Sequence, residues 1–335
     1  MNINKATLQA ALEIVKPGLA SKEVIAQATS FCFMNGNVIT YNDEISISHP
    51  VEGLEVEGAV KAEQLYQLLS RIKKDEIDIT VENNEILLKA GKAKAGLVVQ
   101  AEITLPLESI AAPKKWKLLP DNFIKYLSFA VGSAGKDMSR PVLTCVHVNQ
   151  EGFLEASDSL RITKCMLGSM PIKTFLIPAT SCMTIIKLEP IKIAEGSGWI
   201  HFKTAEGTVL SCREYEGDKF PDTTALFKIK GSNITLPKNM QTVLDRASVF
   251  SKRDHMLDES VSVTLEDNNL NIRADSETGW FEEDLNIKYT GEPIKFAVSP
   301  YLLKGILSET LSCILSTDRM KFEGENWTYV TTLKV

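Results

Sequence analysis

The chain reads as an α+β protein assembled from an internal repeat. Amphipathic helical stretches begin near residues 5, 61, 120, 179, 237 and 299, a spacing of about 60. Between them lie short runs of alternating apolar and polar residues, punctuated by turn-forming pairs, as strands and hairpins require. At 335 residues the chain is longer than one typical core. Pairing successive repeats therefore predicts three domains, residues 1–113, 114–228 and 229–335, each with two helices on antiparallel sheets.

The repeat can be followed in order. Leu8, Ala11, Leu12 and Val15 form the first apolar stripe, ended by Pro17-Gly18. Residues 28–51 break at Asn35-Gly36-Asn37 and Asn42-Asp43, which predicts strands joined by tight turns. In Lys61–Lys74, Leu65, Leu68, Leu69 and Ile72 form the second stripe, while Gln64, Gln67, Arg71 and Lys74 share another face. Ile77, Ile79 and Val81, a turn at Glu82-Asn83-Asn84, then Ile86 and Leu88 predict a half-buried hairpin. Phe123, Tyr126, Leu127 and Ala130 give the third stripe. Val146 and His147 lead to a turn at Gln150-Glu151-Gly152 and another strand. Ala179–Leu188 is the fourth helix, stopped by Pro190. Ile200 and Phe202, Glu206-Gly207 and Val209 make a further hairpin. Pro237–Lys252 is the fifth helix. Val261, Val263 and Leu265, Asp267-Asn268-Asn269, then Leu270 and Ile272 echo the hairpin at 77–88. The sixth helix spans about Pro300–Glu309, and Trp327–Val335 closes the chain in β-structure.

Charge distribution separates helices from the rest. The whole chain carries −6, yet its six helical spans together carry +8, which leaves −14 elsewhere. Helices set side by side would present a positive surface in an acidic protein, and a phosphate backbone is the natural partner for it. No apolar run approaches the roughly 18 residues of a membrane span. The opening MNINKATLQ lacks the apolar core of a signal peptide. A cytoplasmic location with no membrane partner is expected. The six scattered cysteines fit free, buried thiols.

Six strings, in order and spacing, resemble the bacterial DNA polymerase III β subunit family of sliding clamps. They are Asp137-Met-Ser-Arg-Pro-Val-Leu, Ala156-Ser-Asp-Ser-Leu-Arg-Ile, Phe175-Leu-Ile-Pro-Ala, Glu216-Gly-Asp-Lys-Phe-Pro-Asp, Leu244-Asp-Arg-Ala-Ser-Val-Phe-Ser and Phe296-Ala-Val-Ser-Pro-Tyr-Leu. The resemblance is weakest over residues 1–110. It implies the DNA clamp fold, three repeated domains with helices inside and sheets outside. Two subunits would close head to tail into a ring around double-stranded DNA. Such a ring tethers a DNA polymerase and is opened by a clamp loader; it performs no chemistry and needs no cofactor. Pore-facing candidates are Lys5, Arg71, Lys73, Lys74, Lys125, Lys187, Lys238, Arg246, Lys252 and Lys304, with Lys136 and Arg140 on a loop.

The resemblance also implies a pocket for linear motifs of the polymerase and the loader. Its candidates are Leu143, Ser157, Ser159, Leu160, Arg161, Ile162, Pro221, Leu226, Tyr301, Leu333 and Val335, an apolar slot with a few polar groups. Leu143 and Ile162 fit plain core packing equally well. The sequence departs from the family here. Ser159-Leu160 replaces Gly-His, Thr223-Thr224-Ala225 replaces Tyr-Arg-Arg, and Thr331-Thr-Leu-Lys-Val335 replaces Met-Pro-Met-Arg-Leu, so an altered peptide preference is expected. Leu97 and Val99 against Val249 and Phe250 are the candidate ring contacts.

An enzyme is not indicated. Nucleotide-cradling glycine motifs and a nucleophile elbow are missing from the sequence. His49, His147, His201 and His255 are isolated from one another. Glu282-Glu283-Asp284 and Asp254, Asp258 and Glu259 could hold Mg²⁺ in a nuclease, but charged turns and strand edges explain them more simply. The remaining alternative is a repeat-built scaffold that binds peptide motifs without encircling DNA.

Overall fold

The computed structural model describes residues 1–110, 113–254 and 258–334. The backbone is α+β, with helices α1 Lys5–Val15, α2 Ala62–Arg71, α3 Phe123–Val131, α4 Ala179–Leu188, α5 Met240–Ser251, α6 Pro300–Leu303 and α7 Ile306–Glu309. The chain forms two compact units. One comprises residues 1–128 and 169–216, the other residues 129–168 and 217–335.

The first unit is built on a 12-stranded antiparallel sheet. Along it lie Asn2–Asn4, Glu76–Glu82, Glu85–Ala90, Ala93–Gln100, Gly58–Lys61, Ser30–Met34, Asn37–Tyr41 and Ile45–Pro50. Val209–Arg213, Trp199–Lys203, Lys192–Glu195 and Lys117–Leu118 continue it. Asn83 and Asn84 have φ of 51° and 63°, the left-handed pair a two-residue hairpin turn needs, and asparagine tolerates it. The strand Ile45–Pro50 pairs with Val209–Arg213, Ile45 opposite Cys212 and Ser48 opposite Val209. α1 buries Leu8, Ala11, Leu12 and Val15 against the strands Asn37–Tyr41 and Ile45–Pro50 and against α2. Thr40 Oγ1 donates to the Val15 carbonyl at the end of α1, 2.6 Å away. Phe123 of α3 stacks on Phe202, with centroids 6.1 Å apart.

The second unit holds two sheets. In one, Cys145–Asn149, Phe153–Ser157, Arg161–Met166, Trp327–Thr332, Arg319–Glu323, Ser312–Leu315 and Ser232–Thr235 lie in that order. The other runs Gly279–Asn286, Asn269–Ser276, Val261–Glu266, Ile294–Val298. Met240, Val243, Leu244 and Ala247 of α5 join Leu302, Leu303, Ile306 and Leu307 in one buried cluster with Val261, Val263 and Ile272. Truncating such a leucine to alanine costs about 2–5 kcal/mol.

Three helices differ from expectation. α2 stops at Arg71 because Ile72 turns extended (φ −70°, ψ 130°), its N–H still reaching Leu68 O. Lys73 and Lys74 therefore lie beyond the helix. The sixth helix is broken in two at Lys304-Gly305. Lys304 turns extended (φ −62°, ψ 130°) and ends α6, and Gly305, at φ 93°, a conformation that favours glycine, leads into α7. α5 begins at Met240, three residues later than Pro237. α4 ends at Leu188 as expected, with Glu189 left-handed at φ 48° ahead of Pro190.

Candidate functional site

A cleft of about 690 Å³ opens in the second unit, between the loop 134–143, the turn 158–161 and α6. Its walls include Ala134, Gly135, Lys136, Asp137, Ser139, Arg140, Leu143, Asp158, Ser159, Arg161 and Tyr301. The turn is wired before any ligand arrives. Asp158 Oδ1 accepts the N–H groups of Leu160 (3.1 Å) and Arg161 (3.0 Å), and Asp158 Oδ2 accepts Arg161 Nε at 2.9 Å. Ser157 Oγ donates to the Arg161 carbonyl at 2.7 Å and accepts the Ser159 N–H at 3.2 Å. The buried Arg161 guanidinium lies 4.6 Å from the Tyr301 ring centroid. Local spacing explains this arrangement, since an Asp and an Arg three residues apart meet across a tight turn.

Ser159 stands at φ 76°, a left-handed conformation that glycine adopts without strain. Its hydroxyl receives Arg140 Nη1 at 3.1 Å. Asp137 is held by Ser139: the Ser139 hydroxyl (2.7 Å) and N–H (2.9 Å) both donate to its carboxylate. Those bonds, with the nearby Arg140 charge, hold the Asp137 carboxyl below its ordinary range.

Of the expected pocket residues, Leu143, Ser159, Arg161 and Tyr301 line this cleft together. Ile162 is only 2% exposed and Ser157 is buried, so both support the turn from within the core. Leu160 packs against the core cluster, and its carbonyl accepts the Thr332 N–H at 2.8 Å, which sets the last strand beside the turn. Leu333 is buried, whereas Pro221 and Leu226 are exposed outside the cleft lining. Val335 and His255 lie outside the described residues.

The segment bearing Pro221 and Leu226 is tied down by a contact that sequence reasoning missed. Buried Glu155 accepts Thr223 Oγ1 at 2.6 Å on one oxygen, while its other oxygen meets His147 Nδ1 at 2.9 Å. The His147 ring stacks on Phe220 with centroids 5.0 Å apart. A carboxyl at a core-facing strand position was the available signal.

The candidate DNA contacts fall into three groups. Arg71, Lys73, Lys74, Lys125, Lys187, Lys238, Lys252 and Lys304 are exposed and, among the described residues, in no ion pair. Lys5 and Arg246 are engaged within the protein. Lys5 Nζ donates to the Ile72 carbonyl at 2.8 Å, capping the end of α2, where a cation suits the helix dipole. That contact places Lys5 beside Arg71, Lys73 and Lys74. Arg246 grips Glu283 through bonds of 3.1, 2.8 and 2.6 Å. Lys136 and Arg140 form the third group, on the rim of the cleft.

The ring-contact candidates also divide. Val249 is 63% exposed on α5, and Leu97 and Phe250 are half-buried. Val99 is 4% exposed and pairs with Val60, whereas its neighbour Val98 is 71% exposed. The acidic run 282–284 alternates faces of its strand. Glu282 pairs with Arg273, Glu283 with Arg246, and Asp284 with Asn269 and Asn271, so the three carboxylates do not converge on one point. Among the described residues no group of three His, Cys, Asp or Glu side chains could hold a metal ion. Nor is any described helix long and apolar enough to cross a membrane.

No family sequence model and no curated protein sequence matches this chain. Solved structures do. The DNA polymerase III β subunit of Pseudomonas aeruginosa aligns over 100% of both chains, with a TM-score of 0.84 and 19% identity. The β chain of Streptococcus pneumoniae reaches 0.86 and 20% identity over 100% of this chain and 99% of its own. A sliding clamp from Bartonella birtlesii reaches 0.87 and 17% identity over the same shares. The chain has the sliding-clamp fold. That fold accounts for the period of about 60 residues, each repeat supplying a helix and its strands.

Proposed function

We propose that the protein is a DNA sliding clamp, a processivity factor that encircles duplex DNA and tethers a replicative polymerase without chemistry of its own. The observation that carries this reading is the clamp fold along the full chain, combined with exposed cations on and beside the helices of an acidic protein that, among the described residues, make no ion pair. Phosphate contacts carry no sequence information, so such a surface permits sliding. Three clamp domains, 1–113, 114–228 and 229–335, would each contribute a pair of helices to the pore.

Ring closure is assigned to two copies meeting head to tail. The strand Gly279–Asn286 ends its sheet, and Ala93–Gln100 pairs with Gly58–Lys61 only at Val99 and Gln100, so both offer open edges. One carries Glu282, Glu283 and Asp284; the other carries Lys94, with Lys92 just ahead. Complementary unlike patches close into a ring when rotation permits. The cleft at Leu143, Arg161 and Tyr301 would receive extended motifs of the polymerase and the clamp loader.

The test is retention on plasmid after loading. The protein should remain on nicked circular DNA through high salt and be lost when that DNA is cut. Charge reversal of Arg71, Lys73 and Lys74 should weaken retention while leaving the dimer intact. Equal loss from circular and linear DNA would remove the ring reading and leave a peptide-binding scaffold.

A further inference from the structure

We propose that one exposed face of the 12-stranded sheet, at Trp116, Leu118, Lys192 and Lys203, docks an acidic peptide segment of a partner protein. These residues belong to the first unit, whereas the cleft at Leu143, Arg161 and Tyr301 belongs to the second. Lys192 and Lys203 are directly opposed on neighbouring strands, and Leu118 continues the row opposite Lys192. Like charges opposed in this way repel across a sheet. The row runs Leu118, Lys192, Lys203, Val209, so it contains no acid to offset them. Among the described residues Lys114, Lys115, Lys192 and Lys203 make no ion pair within 4.0 Å. A second opposed pair, Lys89 and Lys94, differs, because Asp78 stands opposite Lys89 in its row. Lysine also guards sheet edges against pairing with other chains. That role falls to Lys117 on the last strand, while Lys192 and Lys203 lie one and two strands further in. A cationic row with nothing to offset it fits an anionic occupant.

The apolar residues of the patch indicate what kind of anion. Leu118 is 70% exposed beside Lys192. Trp116 is half-buried, with Lys203 Nζ 5.7 Å from its ring centroid. Exposed Lys114 and Lys115 lead into Trp116 along the chain. The surface is thus an apolar step set among lysines, and a peptide with one apolar side chain among carboxylates matches both parts. A carboxylate placed between Lys192 and Lys203 turns their repulsion into two charge-assisted contacts. A single-stranded nucleic acid would match the charge, but its successive bases need several aromatic platforms. Here there is one, with Lys203 over its ring.

The experiment is fluorescence anisotropy on the full chain with three labelled probes. They are the terminally blocked peptide Glu-Glu-Glu-Leu-Glu-Glu-Glu, its counterpart with Gln in place of every Glu, and an oligothymidylate of seven nucleotides. The acidic peptide should bind roughly tenfold more tightly than the Gln peptide, and more tightly than the oligonucleotide, with an affinity that falls as salt is raised. Lys192→Glu should abolish the preference for the acidic peptide. The same variant should raise the melting midpoint by about 1–2 °C, because it turns an opposed like-charge pair into an opposite-charge one. Trp116→Ala should weaken the acidic peptide while leaving its salt dependence in place. Plasmid retention of Lys192→Glu should equal that of wild type, so the docking surface and the clamp reading fail independently. Equal binding of the Glu and Gln peptides overturns the proposal, as does a Lys192→Glu variant that binds the acidic peptide like wild type or melts lower. Tighter binding of the oligonucleotide, lost in Lys192→Glu, would assign the patch to nucleic acid instead. An acidic-peptide affinity lost on charge reversal of Arg71, Lys73 and Lys74 would place the peptide on the helices and overturn it as well.

Discussion

Thr223→Val removes one hydroxyl and almost nothing else, which makes it the sharpest probe of the tie between the segment 220–226 and its sheet. Thr223 and Glu155 are both buried, and the hydroxyl donates to one carboxyl oxygen at 2.6 Å. Valine keeps the shape but leaves that oxygen without a partner. A buried acceptor stranded in this way costs about 1–3 kcal/mol. For a folding unit of this size, about 2 kcal/mol lowers the melting midpoint by roughly 4–8 °C. The loss should be smaller when the acceptor is removed as well. In a cycle with Glu155→Leu, the double variant should be less destabilised than the two singles summed, by about 1–2 kcal/mol. Urea unfolding followed by tryptophan fluorescence, with calorimetry beside it, reads both quantities. A Thr223→Val midpoint within one degree of wild type, or strictly additive variants, would refute the idea that this contact fastens the segment.

Four further outcomes are expected. Burial pushes the His201 imidazole from the usual 6.5 down to about 4. The folded state then favours the neutral ring, so this stabilisation is complete above pH 6.5 and fades as pH falls through 4. It amounts to about 3 kcal/mol at about 1.4 kcal/mol per pH unit, and His201→Asn should flatten the decline of urea midpoints over that window. In the proposed ring, Val249→Asp should shift sedimentation from dimer to monomer while the circular-dichroism spectrum of the fold stays unchanged. Val99→Asp should instead lower the melting midpoint sharply, because it places an unpaired charge in the core. Gly305→Ala should cost about 1–2 kcal/mol from backbone strain alone, since the space around its Cβ position is open.

Local pattern carried much of the fold. The hairpins at 76–90 and 261–276 were legible because alternation and paired Asn or Asp residues specify both strands and turn. α1 and α4 were legible because stripe and stop signal agreed. Helix ends such as Ile72 were not, because an amphipathic pattern continues past the point where the backbone turns toward its next strand. The candidate cleft was half legible. Its turn residues are neighbours in sequence, but Tyr301 and Lys136 reach it from distant segments, and no periodicity reports such meetings. Charge alone also failed to separate a lysine bound to a helix end, as Lys5 is, from one left free, as Lys73 is. The difference lies in which carbonyl happens to be within reach.

The pairing of Ile45–Pro50 with Val209–Arg213 has a consequence for synthesis on the ribosome. Ile45 must wait for Cys212 before the edge of its strand is covered. At about 5–20 residues per second this leaves an apolar edge uncovered for roughly 10–30 seconds. During that interval neighbouring nascent chains on one message offer the same edge to one another. Slow translation between these two strands would lengthen the exposure. A codon-level change there would alter the yield of folded protein without altering a single residue.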